Sequence, residues 1–127
     1  MADRPPKRAI KTKSIHKITV ALPSSLKMSL PSQILKDGYN MRQKSKWVVE
    51  AIISLISKEG WENVLLSELM VSPDAQDVYS IPEDVVAIMN KEVHRVALAN
   101  PSLNVNRSSI IRAAINRRLL GFYKPPT

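Results

Sequence analysis

Polar side chains occupy alternate positions in two short segments, and this pattern offers the best candidates for specific binding. In the first segment, residues 15–22, an apolar residue stands at every second position from Ile18 to Leu22. A two-residue period is typical of a β-strand with one buried face. The exposed face of this strand then carries Lys17, Thr19 and Ala21. In the second segment, the corresponding face carries Gln76, Val78 and Ser80. Lys, Thr, Gln and Ser can meet the donors and acceptors of base edges, and a two-stranded ribbon fits the major groove of DNA.

The second strand leaves one point open, which is the position of Asp77. If Val78 faces outward, Asp77 lies on the inward face, at the place that Ile18 takes in the first strand. Either the second strand is shorter at this end, or its register is shifted by one residue, which would exchange its two faces.

Residues for catalysis or metal binding are not found in comparable patterns. The chain has no Cys, which excludes thiolate catalysis, disulfides and Cys-ligated metals. His16 and His94 lie far apart in the sequence, and no Ser stands in a Gly-x-Ser-x-Gly turn. The three glycines are isolated and cannot form a phosphate-binding loop. We therefore expect no enzyme activity, no cofactor and no bound metal.

The charge balance favours a polyanionic partner. The 127 residues include 19 Lys and Arg against 11 Asp and Glu, a formal net charge of +8. Residues 1–17 are strongly basic, whereas residues 59–84 contain seven acids and no Lys or Arg. Basic surface attracts nucleic acid, although a protein that is merely soluble and basic would show the same balance. Because the N-terminal segment lacks the apolar stretch of a signal peptide, and no apolar run could span a bilayer, we expect a soluble, cytoplasmic protein.

The spacing of apolar residues predicts helices between and after the two strands. One helix lies within residues 24–37, where Pro31 either begins the regular helix or kinks a longer one, and Gly38 ends it. Trp47 and Trp61 are expected to pack in the core. The other predicted helices cover residues 43–58, residues 61–70 in the connector, residues 82–99 and residues 106–120. On the last helix, a solvated face is expected to carry Arg112, Arg117 and Arg118.

The order strand–helix–helix occurs twice, which indicates an internal duplication. Pro23 and Pro82, which end the two strands, are 59 residues apart, whereas Ser45 and Ser108, near the starts of the second helices, are 63 residues apart. The four-residue difference predicts about one additional helical turn in the first helix of the second copy.

A lone amphipathic strand cannot bury its apolar face or pair its edges, so the two strands are expected to pair above the helices. The predicted fold is mainly α with a short two-stranded antiparallel ribbon. We divide the chain into a flexible basic arm (1–14), a first repeat (15–58), an acidic connector (59–76), a second repeat (77–121) and a C-terminal tail (122–127).

After the arm, the sequence resembles the ribbon-helix-helix family of DNA-binding proteins. Residues 17–23, Lys-Ile-Thr-Val-Ala-Leu-Pro, are similar to the strand of that family. Residues 106–115 are similar to its frequent second-helix opening, and residues 43–52 are a looser copy. The resemblance implies that the outward residues of the strands contact bases. It also implies that the two repeats form a single-chain pseudo-dimer, which would bind a non-palindromic site as a monomer.

Proteins of this family bind a phosphate at the start of the second helix, where free N–H groups and the helix dipole favour an anion. The resemblance therefore implies phosphate contacts by Lys44 and Ser45 in the first repeat and by Arg107 and Ser108 in the second. Lys11 and Lys13, in the basic arm, are expected to contact phosphates without contributing to specificity.

Tandem proteins of this kind resemble accessory factors of DNA-transfer complexes, which bind beside a transfer origin in T-DNA or conjugative processing. The expected partners are double-stranded DNA and other proteins of such a complex. A transcriptional repressor is a close alternative. An antitoxin-like protein-interaction module is a different one, in which the acidic connector would be the docking surface.

Overall fold

The computed structural model describes residues 14–65 and 73–123. Most of the predicted arm, with Lys11 and Lys13, lies outside the described residues, as do residues 66–72 of the connector and residues 124–127 of the tail. The described chain is mainly helical with one two-stranded antiparallel sheet. Its strands and helices are β1 (Ile15–Leu22), α1 (Ser24–Lys36), α2 (Lys44–Ile56), β2 (Ala75–Pro82), α3 (Glu83–Ala99) and α4 (Arg107–Leu119). Short 3-10 turns cover Met41–Gln43 and Trp61–Asn63.

The two strands pair along their whole length and form the β-ribbon of this protein. Thr19 lies opposite Val78 at the middle of the ladder, with Lys17 opposite Ser80 and Ala21 opposite Gln76. The inward face is mostly apolar, and its buried residues are Ile18, Val20, Leu22, Tyr79 and Ile81. This face packs on the helices, so one side of the ribbon closes the core and the other side remains exposed.

The pairing of the strands excludes both alternatives for the second strand, a shorter strand and a register shifted by one residue. β2 begins at Ala75, two residues before the predicted start of the second repeat, so the strand is not shortened. Its register is not shifted either, because Val78 is exposed and Tyr79 is buried. Asp77 can lie inward because Lys44 Nζ, at the start of α2, is 2.9 Å from its carboxylate Oδ1.

The lengths of the helices agree with the predicted four-residue difference. α1 has 13 residues and α3 has 17, so α3 is longer by about one helical turn, as predicted. Pro31 lies inside α1, so the longer helix of the two alternatives is correct, and Gly38 ends it with a φ of 90°. α2 and α4 both have 13 residues and make the most extensive helix–helix contact of the described chain.

The core is aliphatic, with a few large aromatic residues placed between the helices. Trp47 and Tyr79 are fully buried and Trp61 nearly so, which confirms that the two tryptophans are core residues. α4 crosses this core and is buried on most of its surface. The expected solvated arginine face on α4 is therefore wrong. Arg118 is buried, and Arg112 donates to the Ala21 carbonyl at 2.6 Å.

Asp74 caps α1 from the segment that precedes β2. Pro23 provides no side-chain cap, and Asp74 instead accepts the Ser24 N–H at 2.7 Å and the Ser24 hydroxyl at 3.1 Å. These two hydrogen bonds, the backbone one first, lower the pKa of Asp74 below its usual value. A depressed pKa in the folded state means that this cap stabilises the fold above the unfolded-state pKa and is lost as the pH falls through the folded-state value.

We expect Asp74→Ala to lower the thermal unfolding midpoint at neutral pH, because the Ser24 N–H loses its acceptor. The difference from the wild type should vanish in strongly acidic solution, where the wild-type carboxylate is protonated as well. Thermal unfolding of both proteins from neutral to acidic pH measures this difference. Glu59→Ala, which removes an exposed acid, is the control and should leave the neutral-pH midpoint unchanged. A constant difference at every pH would contradict the assigned cap.

Candidate nucleic-acid interface

The outward face of the β-ribbon brings together all six residues predicted to contact bases. They form three facing pairs: Lys17 with Ser80, Thr19 with Val78, and Ala21 with Gln76. Lys17, Thr19 and Gln76 are exposed, and Ala21 and Ser80 are half-exposed. Val78, in the middle of its strand, is 45% exposed. The central pair thus offers a methyl-rich surface between two more polar ends.

These facing pairs are non-hydrogen-bonded pairs of the antiparallel ladder. The Ser80 N–H donates to Ser45 Oγ at 2.8 Å, and the Ala21 carbonyl accepts from Arg112, so neither group bonds the neighbouring strand. Opposite residues whose backbone groups point away from the partner strand have side chains that lie closer together. Three such pairs extend over about 13 Å along the strands, which corresponds to roughly four base pairs of DNA.

The start of α4 lies along the outer edge of β1. An open pocket of about 300 Å³ between them is lined by Lys17, Ile18, Thr19, Asn106, Arg107 and Ser108. The Asn106 side chain accepts the Ser109 N–H at 2.9 Å and caps the helix. The N–H groups of Arg107 and Ser108 belong to the first turn and have no acceptor within the helix. Among the described residues, no ion pair engages the exposed Arg107 guanidinium.

The start of α2 lies along the outer edge of β2 and differs from this arrangement. Lys44 Nζ is 2.9 Å from Asp77 Oδ1 and 5.3 Å from the centre of the Tyr79 ring. Ser45 accepts the Ser80 N–H. Both residues predicted to bind phosphate in the first repeat therefore already contact β2, whereas Arg107 faces an open pocket.

Asp77 stays ionised in this position. Burial alone would raise the pKa of Asp77, but hydrogen bonds from Lys44 and from the Val78 N–H outweigh burial and keep the pKa below its usual value. Burial, with the Asp77 charge close by, raises the pKa of the Tyr79 hydroxyl, which remains neutral. The Lys44–Asp77 contact is thus an ion pair over the neutral pH range. Sequence reasoning missed this pair because its members are 33 residues apart and lie in different repeats.

A second pocket lies at the other end of α4, away from the β-ribbon. Its volume is about 440 Å³, and it is lined by Gln33, Asp37, Tyr39, Arg118, Gly121 and Tyr123. Arg118 is 3.8 Å from Asp37 and 3.3 Å from Glu50, so carboxylates of this chain neutralise the guanidinium. A hydrogen bond to Glu50 and burial raise the pKa of Tyr39. The cluster ties the C-terminal ends of α1 and α4 to the middle of α2, which is a structural role.

No group of three or more potential metal ligands occurs among residues 14–65 and 73–123. Over the same residues, no helix combines the length and the apolar character needed to cross a membrane. Comparison with known proteins finds no matching family model, no similar curated protein and no similar solved structure.

Proposed function

We propose that this protein binds double-stranded DNA by inserting the exposed face of its β-ribbon into the major groove. The observation that carries this proposal is the set of three facing side-chain pairs, flanked on the β1 edge by the exposed Arg107. Polar side chains on such a ribbon can bond to base edges, while Arg107 and the first turn of α4 hold a phosphate. The protein acts by binding, and no catalytic step is part of the proposal.

We further propose that the chain is a tandem ribbon-helix-helix protein and a single-chain pseudo-dimer. The 59-residue offset between the repeats makes Thr19 equivalent to Val78, and these two residues face each other in the ladder. An approximate two-fold axis between the repeats would pass through this pair. Because the two halves of the ribbon carry different side chains, the DNA site should be non-palindromic.

The resemblance of the sequence suggests a role as an accessory factor beside a transfer origin, in T-DNA or conjugative processing. Such a role would place the protein with its DNA in the bacterial cytoplasm, in contact with other proteins of the complex. A repressor of transcription would use the same surface. The two roles differ in the location of the DNA site, at a transfer origin or at a promoter.

Selection of bound duplexes from a random pool at physiological salt tests the proposal, with the mass of the free protein measured in parallel. We expect a short asymmetric consensus of about four central base pairs, bound by a monomer. The proposal fails if no sequence is enriched and binding disappears as the salt concentration rises. That outcome would leave only nonspecific attraction by the basic charge and would favour the protein-interaction alternative.

Arg107→Ala should weaken binding to all duplexes and reduce the salt slope by roughly one, because one phosphate contact is lost. Sequence preference should not change, since a phosphate contact carries no base information. Titrations at several salt concentrations measure the slope. Arg117→Ala is the matched control, because it removes the same charge about 15 Å further along the same helix. Equal slopes for the Arg107 variant and the wild type would exclude Arg107 from the interface.

A further inference from the structure

We propose that the Asp77 carboxylate pairs with Lys44 at the place where a DNA phosphate would otherwise bind. The protein then contacts the sugar-phosphate backbone on one wall of the major groove only. This inference rests on the proposed DNA binding and adds which side of the β-ribbon contacts phosphates. The β1 edge, with Arg107, would hold backbone phosphates. The β2 edge, where Lys44 is paired, would leave the other wall of the groove without this contact.

The acid stands in one half of the molecule only. The 59-residue offset makes Asp77 equivalent to Ile18, which is a buried aliphatic residue of β1. Lys44 and Arg107, which are 63 residues apart, both stand at the first position of a 13-residue helix whose start lies along a strand edge. The two edges therefore carry comparable cations, and they differ in that Asp77 neutralises one of them.

The Lys44–Asp77 pair is held firmly enough to compete with DNA. The side chains are only 28% and 16% exposed, and their charged atoms are 2.9 Å apart. Ion pairs shielded from water in this way are screened less by salt than pairs on an open surface. Asp77 also accepts the Val78 N–H at 3.0 Å, and the Tyr79 ring lies beneath Lys44. A phosphate would have to displace a carboxylate that the strand itself keeps in position.

Lys44→Ala in the wild-type background is the first test. If Lys44 is already neutralised, the variant should change DNA affinity by less than about twofold and leave the salt slope unchanged, whereas Arg107→Ala lowers the slope by roughly one. Asp77→Asn should release Lys44, tighten binding and increase the slope by roughly one. Adding Lys44→Ala to Asp77→Asn should remove that gain, which separates a new lysine contact from the mere loss of a negative charge.

Ethylation of single phosphates on the selected duplex supplies a direct readout. In the wild type, ethylation should interfere along one wall of the groove, and in Asp77→Asn along both walls. Interference on both walls in the wild type would overturn the inference, as would a Lys44→Ala effect equal to that of Arg107→Ala. Asp77→Ser replaces Asp77→Asn if the amide variant does not fold. Failure of the wild type to bind any duplex saturably would instead refute the proposed function, and this outcome differs from both of the others.

Discussion

Arg118→Ala is expected to lower the free energy of unfolding by about 3–5 kcal/mol, the usual cost of breaking a buried ion pair from one side. Only 6% of the Arg118 side chain is exposed, and its guanidinium donates to the Trp47 carbonyl at 2.8 Å and to Glu50 at 3.3 Å. The guanidinium also stacks between the rings of Trp47 and Tyr123, at 4.5 and 3.7 Å from their centres. The truncation would remove these contacts and leave Glu50 without its counter-charge.

Urea-induced unfolding measures this loss of stability. Two further variants show whether it comes from the charge or from the stacking of Arg118. Arg117→Ala removes the neighbouring arginine, which is partly buried and stacks on the Phe122 ring at 4.1 Å, and should change the stability by no more than about 1 kcal/mol. Arg118→Lys keeps the charge but loses the flat group that stacks between the rings, so its stability should lie between those of the wild type and Arg118→Ala. A loss below about 1 kcal/mol for Arg118→Ala would show that the cluster does not hold α1, α2 and α4 together.

Periodicity predicted the two strands and the approximate bounds of the four helices outside the connector because these are local properties. The predicted connector helix, in contrast, begins as a 3-10 turn, and its residues 66–70 lie outside the described part of the chain. The two-residue alternation determined which side of β1 is buried and that Val78 faces outward like Thr19, whereas the pairing of these two residues is seen only in the structure. Register was harder, because Asp77 at an inward position contradicted the pattern. Its partner Lys44 precedes it by 33 residues, and no local signal connects them.

The sequence did not reveal the contacts between side chains of segments that are far apart in the chain. Three arginines on one helix suggested a solvated face, since charged residues are mostly exposed. That expectation ignored the position of α4, which packs against α2 and lies under the β-ribbon. A charged residue on so enclosed a helix must find partners inside the protein, and Arg118 finds Asp37 and Glu50 on two other segments. The same limit applies to the interface, where only the structure distinguishes the engaged Lys44 from the exposed Arg107.

Lys17→Ala is expected to reduce the preference for the selected DNA site by about 1–3 kcal/mol, which is roughly a fivefold to 150-fold change. Lys17 is exposed, faces Ser80 across the ribbon and lines the pocket that contains Arg107. A lysine in the major groove pairs best with the O6 and N7 acceptors of guanine, so the effect should be concentrated at one or two guanines. Thr19→Ala should weaken selection at the adjacent central step.

The measured quantity is the ratio of affinities for the selected duplex and for duplexes with single base changes, at one salt concentration. Lys36→Ala is the matched control, because it removes the same charge at the far end of α1, about 18 Å along that helix from the ribbon. It should weaken all duplexes equally and preserve the ratio. If both the Lys17 and Thr19 variants keep the full ratio, the outward face of β1 does not contact bases. Specificity would then have to come from β2 or from the shape of the DNA.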